Sequence, residues 1–310
     1  MAESSTIVAS SPRSSIQMVA KATITGLVVV GPVVAVVLGT VLLWGRAVHL
    51  RDVVLAAALF AVTGHGVTIG FHRLFTHRSF TPNRSLKIVL AVAGSMAIQG
   101  SVVSWVANHR RHHMFSDRQG DPHSPHLHGG RLGMVRGLAH AHLGWMFSGD
   151  DTAVRRFAPD LLRDRDTVVI GKLFPVLAVA SLALPFGLGW LLSGRTIVGA
   201  VTALIWAGLV RMTLLHHVTW SVNSVCHVFG RRPFATHDES RNFAPLSVIS
   251  MGESWHNFHH ACPSSARHGV LPGQLDSSAA LISLCERAGW ATNVRWPTPD
   301  QIAAAKAEAA

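Results

Sequence analysis

The sequence predicts an all-α integral membrane protein: four transmembrane helices in two hairpins, with a cytoplasmic helical cap that carries a histidine-ligated metal site. Three observations lead there. The 310-residue chain is 49% hydrophobic and only 14% charged, too apolar for a soluble domain of this size. Several of its apolar runs approach the roughly 20 residues that a bilayer crossing needs. It also holds 20 histidines and no tyrosine, and metal ligation is the leading reason for histidine to accumulate.

Residues 1–20 are Ser-rich and polar, and read as a disordered cytoplasmic tail. The membrane domain then runs over 21–290. Its first span is expected at about 23–44, too long an apolar core for a secretory signal. After a short connector with Arg46 and Arg51, a second span over 53–71 delivers the chain into His72. Further runs at 168–192 and 197–215, separated by Ser-Gly-Arg-Thr, form the second hairpin. The run 86–105 is long and apolar enough for a fifth span, but charge opposes this. Thirteen Lys and Arg lie between Arg73 and Arg165, on both sides of it, and such flanks belong on one face of the membrane. It is therefore read as a helix lying in the interface or dipping into it. The cap comprises 106–167 and 216–290, and 291–310 is a C-terminal tail.

The net charge of +11 is assigned to this positive-inside topology and not to a nucleic-acid partner, since no nucleic-acid-binding fold signature accompanies it. Cys226, Cys262 and Cys285 match no metal-binding spacing and are too few for a disulfide framework, which suits a reducing interior.

Three histidine clusters carry the chemistry. In His72-Arg-Leu-Phe-Thr-His77, the i and i+5 positions of an α-helix diverge by roughly 140°, so the pair reaches two metals or grips one from a frayed helix end. His109-Arg-Arg-His112-His113 places three imidazoles on one helical face, and His256-Asn-Phe-His259-His260 repeats that spacing. His227 follows Asn223 by four residues, on the same face. Nine imidazoles exceed the needs of one metal and suit two. A ligand set made almost wholly of nitrogen excludes Mg2+ and Ca2+ and leaves iron, zinc or copper. Glu253-Ser-Trp-His256 is the one Glu-x-x-His match, so a carboxylate-bridged bundle is excluded. Glu253, Asp117 and Asp121 are instead expected to orient imidazoles from outside.

At these motifs the chain resembles the membrane fatty-acyl desaturases of the stearoyl-CoA type, over about Val53 to Pro263. The resemblance rests on HRLFTHRSF with its flanking Arg73 and Arg78; HRRHHMFSD with Asp121, Pro122 and His123; the stretch from Thr219 and Trp220 through Asn223 to His227; and Gly252 through Pro263. It implies two iron ions held by His72, His77, His109, His112, His113, His227, His256, His259 and His260, with Asn223 holding a water. It also implies O2-dependent insertion of a cis double bond, at the delta-9 position, into a long saturated acyl chain. Electrons would come from an external ferredoxin, cytochrome or NAD(P)H oxidoreductase. By the same resemblance, Phe60 and Gly64 line the far end of an acyl tunnel. Gln99 and Trp105 match the family's contacts to the carrier, whereas Gly100, Ala107, Asn108, Gly149 and Asp150 do not; Thr219 and Trp220 complete the expected substrate contacts. Coenzyme A is the first choice of carrier, with acyl carrier protein or a membrane glycerolipid as the others. Box spacing alone leaves a membrane fatty-acid or alkane hydroxylase of the same metal class as a rival. A divalent-metal transporter is a remoter one, because transport sites lie near the midplane and these boxes lie at span ends.

Overall fold

The structure is a computed structural model that describes residues 49–307 and scattered positions between 19 and 37. Most of the expected tail and of the first span, 23–44, lies outside the described residues. The positions described between 25 and 34 are helical and apolar.

Three described helices are long and apolar enough to cross a membrane. The first, α1 (Leu50–Thr76), begins on buried Asp52, whose carboxylate accepts from Arg51 Nε at 3.3 Å and from the His49 amide at 3.4 Å. It is α-helical to His65 and then widens into a π-helix over Gly66–Thr76, so the helix extends past the expected end at residue 71 and takes the first histidine of the first box with it.

The expected single helix over 86–105 is replaced by two. Asn83 caps α2 (Arg84–Ser95) through Oδ1, and Ser101 caps α3 (Val102–Phe115) through Oγ. Between them Ile98 (φ 59°) and Gly100 (φ 103°) adopt left-handed backbone and break the helix. Hydropathy sees one apolar run here because both sides of the break are buried. At about 18 Å, α2 is too short to span. It packs on the π-helical part of α1, where Gly70 lets the Leu90 carbonyl approach: a Cβ there would lie 2.9 Å from that oxygen.

Three shorter helices follow, α4 (Gly133–His142), α5 (Val154–Phe157) and α6 (Arg165–Lys172), and then the second long helix, α7 (Phe174–Leu192). The run expected from residue 168 is thus split at Leu173, where Pro175 opens α7 in its first turn, a position that tolerates the missing N–H. Only 17% of its most apolar window is buried, which leaves Val176, Val179, Leu191 and Leu192 for hydrocarbon. The third long helix, α8 (Ile197–His227), runs well beyond the expected residue 215, with a π-helical stretch at Leu204–Val210 and a closing 3-10 turn at Val225–His227. Buried Arg211 ties it to α7 by donating to Ser181 Oγ at 2.8 Å.

The remaining helices are α9 (His256–Ala261), α10 (Ser277–Arg287) and α11 (Pro299–Ala307). Residues expected to form a tail from 291 are part of the fold. Ala291–Thr292 pairs antiparallel with Thr81–Pro82, the Arg295 amide donates to the Ser79 carbonyl at 2.8 Å, and the Ala235 amide donates to the Ala305 carbonyl at 3.0 Å. A hydrophobic core built from Phe71, Phe75, Val102, Val106, Leu161 and Ile282 fixes the end of α1 against α2, α3 and α10. The histidine-bearing segments are held on this core.

Candidate metal centre

The nine sequence-predicted imidazoles sort into two groups. His72, His77, His109, His113 and His259 offer ring nitrogens within 4.8 Å of one another, and so do His112, His227, His256 and His260. Each His-x-x-His-His motif is divided between them. His109 and His113, one helical turn apart, join the first group while His112 joins the second; His256 and His260 join the second while His259 joins the first. The shared helical face predicted from the spacing is real, but it straddles two sites.

The π-helix settles the first box. The His77 amide donates to the His72 carbonyl at 3.2 Å, an i to i+5 bond, and the two rings lie 4.9 Å apart edge to face. The 140° divergence expected from α-geometry therefore does not occur, and both residues serve one group.

Carboxylates fix the outer nitrogens. His112 Nδ1 donates to Asp121 Oδ2 at 2.9 Å, His227 Nδ1 to Asp117 Oδ2 at 2.8 Å, His260 Nδ1 to Asp238 Oδ2 at 2.6 Å, and His72 Nδ1 contacts Glu253 Oε2. The other oxygen of Glu253 accepts from Arg73 at 2.9 Å, and this fully buried guanidinium also binds Asp276 at 3.0 Å. Asp117, Asp121 and Asp238 all sit well below the usual carboxylate range; burial alone would raise them, but their histidine partners outweigh it. With Nδ1 committed as donor, each of these rings turns the lone pair of Nε2 inward.

This arrangement fits a bound cation. His256 Nε2 lies 3.1 Å from His227 Nε2 and 3.0 Å from His260 Nε2, yet both of those atoms are acceptors and a single N–H serves only one of them. In the first group, His259 Nε2 lies 3.0 Å from His72 Nε2 and 2.9 Å from His113 Nε2. His77 Nε2 and His112 Nε2, one from each group, are buried without a hydrogen-bond partner. Converging lone pairs in a dry interior repel unless a metal accepts them. Burial, aided by neighbouring imidazoles, holds His77, His109, His113, His256 and His259 well below the ordinary histidine value, and His260 at about 4. His112 moves the other way: burial lowers it, but Asp121 more than offsets this. Neutral imidazoles and a nitrogen donor set suit a transition metal.

A mainly apolar cavity opens beside the first group. His72, His109, His256, Glu253 and Asn223 line its polar end, while Val67, Leu215, Val218, Val222, Ile249 and Met251 line the rest. Trp105 and Thr219 also line it, joined by Gln99, which accepts from Trp105 Nε1 at 3.3 Å and donates to Thr219 Oγ1 at 2.9 Å. Three further residues expected to touch substrate are not among the cavity's lining. Trp220 is buried against His142, His216 and His217, Phe60 packs on Val67, Ala97 and Leu215, and Gly64 lies behind Met251.

Sequence reasoning missed Asp238, Arg73 as the partner of Glu253, and Asp276. Asp238 repeats the role of Asp117 and Asp121, yet it lies in a loop outside every box, and nothing in its local sequence marks it.

Comparison with known proteins agrees with this geometry. The fatty acid desaturase family matches residues 52–274. The chain is 38% identical over 278 residues to a hex-5-enoyl acyl-carrier-protein acetylenase of Moorena producens, covering 89% of this chain and 86% of that one. It is 36% identical over 243 residues to an sn-1 stearoyl-lipid 9-desaturase of Anabaena variabilis, covering 77% and 82%. It is 35% identical over 246 residues to an acyl-CoA C20 delta-5 desaturase of Anemone leveillei, covering 78% and 73%. An apolar cavity lined at one part by His72, His109 and His256 of the nine-imidazole cluster, and a family match across most of the fold, lead to one conclusion: this chain is an oxidoreductase that belongs to the fatty acid desaturase family.

Proposed function

We propose that the chain introduces a cis double bond into a long saturated fatty-acyl chain, at the delta-9 position, using O2, a di-iron centre and an external electron donor. The observation that carries this reading is the division of nine imidazoles into groups of five and four beside the mainly apolar cavity. Among the described residues, no other cluster gathers as many imidazoles.

Two iron ions bound there would supply the oxidising power: O2, two electrons and two protons become two waters as two hydrogens leave adjacent methylenes. The chain's own residues do the rest. The five-histidine group is held by box one on α1, box two on α3 and His259 on α9; the four-histidine group by His112, His227, His256 and His260. Asn223 lines the cavity beside His256 and is suited to hold a water there. Val67, Leu215, Val218 and Val222 exclude bulk water and bury methylenes, each worth about 0.8 kcal/mol. The bridge from Trp105 through Gln99 to Thr219 stiffens one wall, so the acyl chain is positioned against a fixed surface.

The topology that accompanies this reading is four spans in two hairpins with the metal site on the cytoplasmic side, where the basic segments between Arg73 and Arg165 also lie. Coenzyme A is the proposed carrier, with acyl carrier protein and glycerolipid as the alternatives named by similarity; the electron donor is a ferredoxin, a cytochrome or an NAD(P)H oxidoreductase. Expression in a host without its own desaturase, with total fatty acids profiled by gas chromatography and mass detection, tests the reaction. A new monoene that vanishes in His112→Ala supports it, and derivatisation locates the double bond. A hydroxylated chain would replace it with an oxygen-inserting activity.

A further inference from the structure

We infer that Met251 is the adjustable floor of the acyl cavity and sets the longest chain the site accepts, an inference that rests on the acyl-chain reading above. Met251 lines the cavity and is almost fully buried. Its thioether fills the space in front of Gly64: a Cβ on Gly64 would overlap Met251 Cε and lie 2.8 Å from Sδ. Val67 and Thr68, one turn further along α1, line the cavity, whereas Gly64 does not. The open space therefore ends at the thioether, with Gly64 behind it. His72 and Gly64 are eight residues apart on α1, so this floor lies at most about 12 Å along the helix from the first histidine of the centre.

The backbone aims that side chain. Met251 has a φ of 58°, a left-handed conformation that costs energy in a residue with a Cβ, and Gly252 follows at 96°. Hydrogen bonds hold the turn on both sides: the Met251 amide donates to the Val248 carbonyl at 3.1 Å, and the Ser278 amide donates to the Met251 carbonyl at 3.4 Å. A strained backbone held in place carries an unbranched side chain with three rotatable bonds, which suits a floor that yields to a terminal methyl group. The missing side chain of Gly64 supplies the room that the thioether occupies.

The test feeds saturated fatty acids of graded length to cells expressing the full chain and measures the monoene formed from each. Met251→Gly removes the thioether and fits the left-handed backbone. Gly64→Ala drives the thioether into the cavity. The expected result is opposite shifts. Met251→Gly raises product from chains two carbons longer than the wild-type optimum by about tenfold relative to that optimum, the worth of two newly buried methylenes. Gly64→Ala moves the optimum to shorter chains, and the double variant cancels that move. An unchanged length profile in both single variants overturns the proposal. The same variants are also read without turnover, by the stabilisation that fatty acids of each length give the purified protein. If the wild type forms no monoene, the desaturase reading fails, and the length dependence of that stabilisation still decides the role of Met251.

Discussion

The His77 amide donates to the carbonyl of His72, five residues earlier, at 3.2 Å. That bond belongs to a π-helical turn and brings two imidazoles onto one face that an α-helix would have turned apart.

Inserting an alanine after Leu74 would set the two histidines six residues apart, break the i to i+5 bond and swing His77 away from His72. The expected outcome is loss of one metal ion of two from the purified protein, with His112, His227, His256 and His260 still loaded. Elemental analysis of metal per chain checks it, and full loading of the insertion variant would show that the π-turn does not define the site.

Asp238 accepts from His260 Nδ1 at 2.6 Å, as Asp117 and Asp121 do from His227 and His112. Asp238→Asn keeps the shape but loses the charge that orients the ring. Metal affinity is expected to fall by about 10-fold to 100-fold, the usual effect of removing such a partner. Competition against a graded chelator measures it; Asp300→Asn, on the remote α11, serves as the control and should hold metal like the wild type.

Glu253 stands between His72 and the buried Arg73. Glu253→Gln leaves that guanidinium with only Asp276 as a charged partner. Removing one member of a buried pair costs about 3–5 kcal/mol. A lower unfolding temperature in detergent, in metal-free protein, is the expected reading; unchanged stability would mean that Asp276 alone suffices.

Asp160 accepts from Arg78 at 2.7 Å and from Arg110 at 2.6 Å, and Arg110 also holds the carbonyls of Phe75 and Thr76 at the end of the first box. Partial burial would raise the Asp160 carboxyl, but the two arginines hold it below the usual range. Its stabilising effect is therefore complete above the unfolded carboxylate value and is lost as pH falls through the lower folded one. Asp160→Asn should destabilise the protein at neutral pH by about 1 kcal/mol, since both pairs are partly solvated. The gap from wild type should close in acid, and denaturation curves at several pH values would reveal a constant gap if the charge were irrelevant.

Much of the centre was legible in the sequence because metal ligation demands particular side chains at short spacings. His109, His112 and His113, and likewise His256, His259 and His260, are close in the chain and close in space, so helical periodicity alone brought them together. Asp117 and Asp121 could be picked out for their nearness to the second box. Asp238 could not, since a loop places it against His260 and a lone acidic residue carries no periodic signal. The break at Ile98 and Gly100 was hidden for a related reason: hydropathy reports burial, and both helices beside the break are buried.

By itself, the sequence determined that this protein is helical and strongly apolar, that nine imidazoles stand in three boxes and beside Asn223, and that they suit two metals. Those properties follow from composition and from neighbours a few residues apart. The tertiary structure alone decided which imidazole joins which group, because that assignment depends on the π-turn at His72 and on how α3, α8 and α9 meet. It also decided that residues 291–305 dock against Ser79 and Ala235, and that Met251 lies against Gly64 where it lines the cavity. These are contacts between residues far apart in the chain, set by packing and backbone hydrogen bonds that no local pattern encodes.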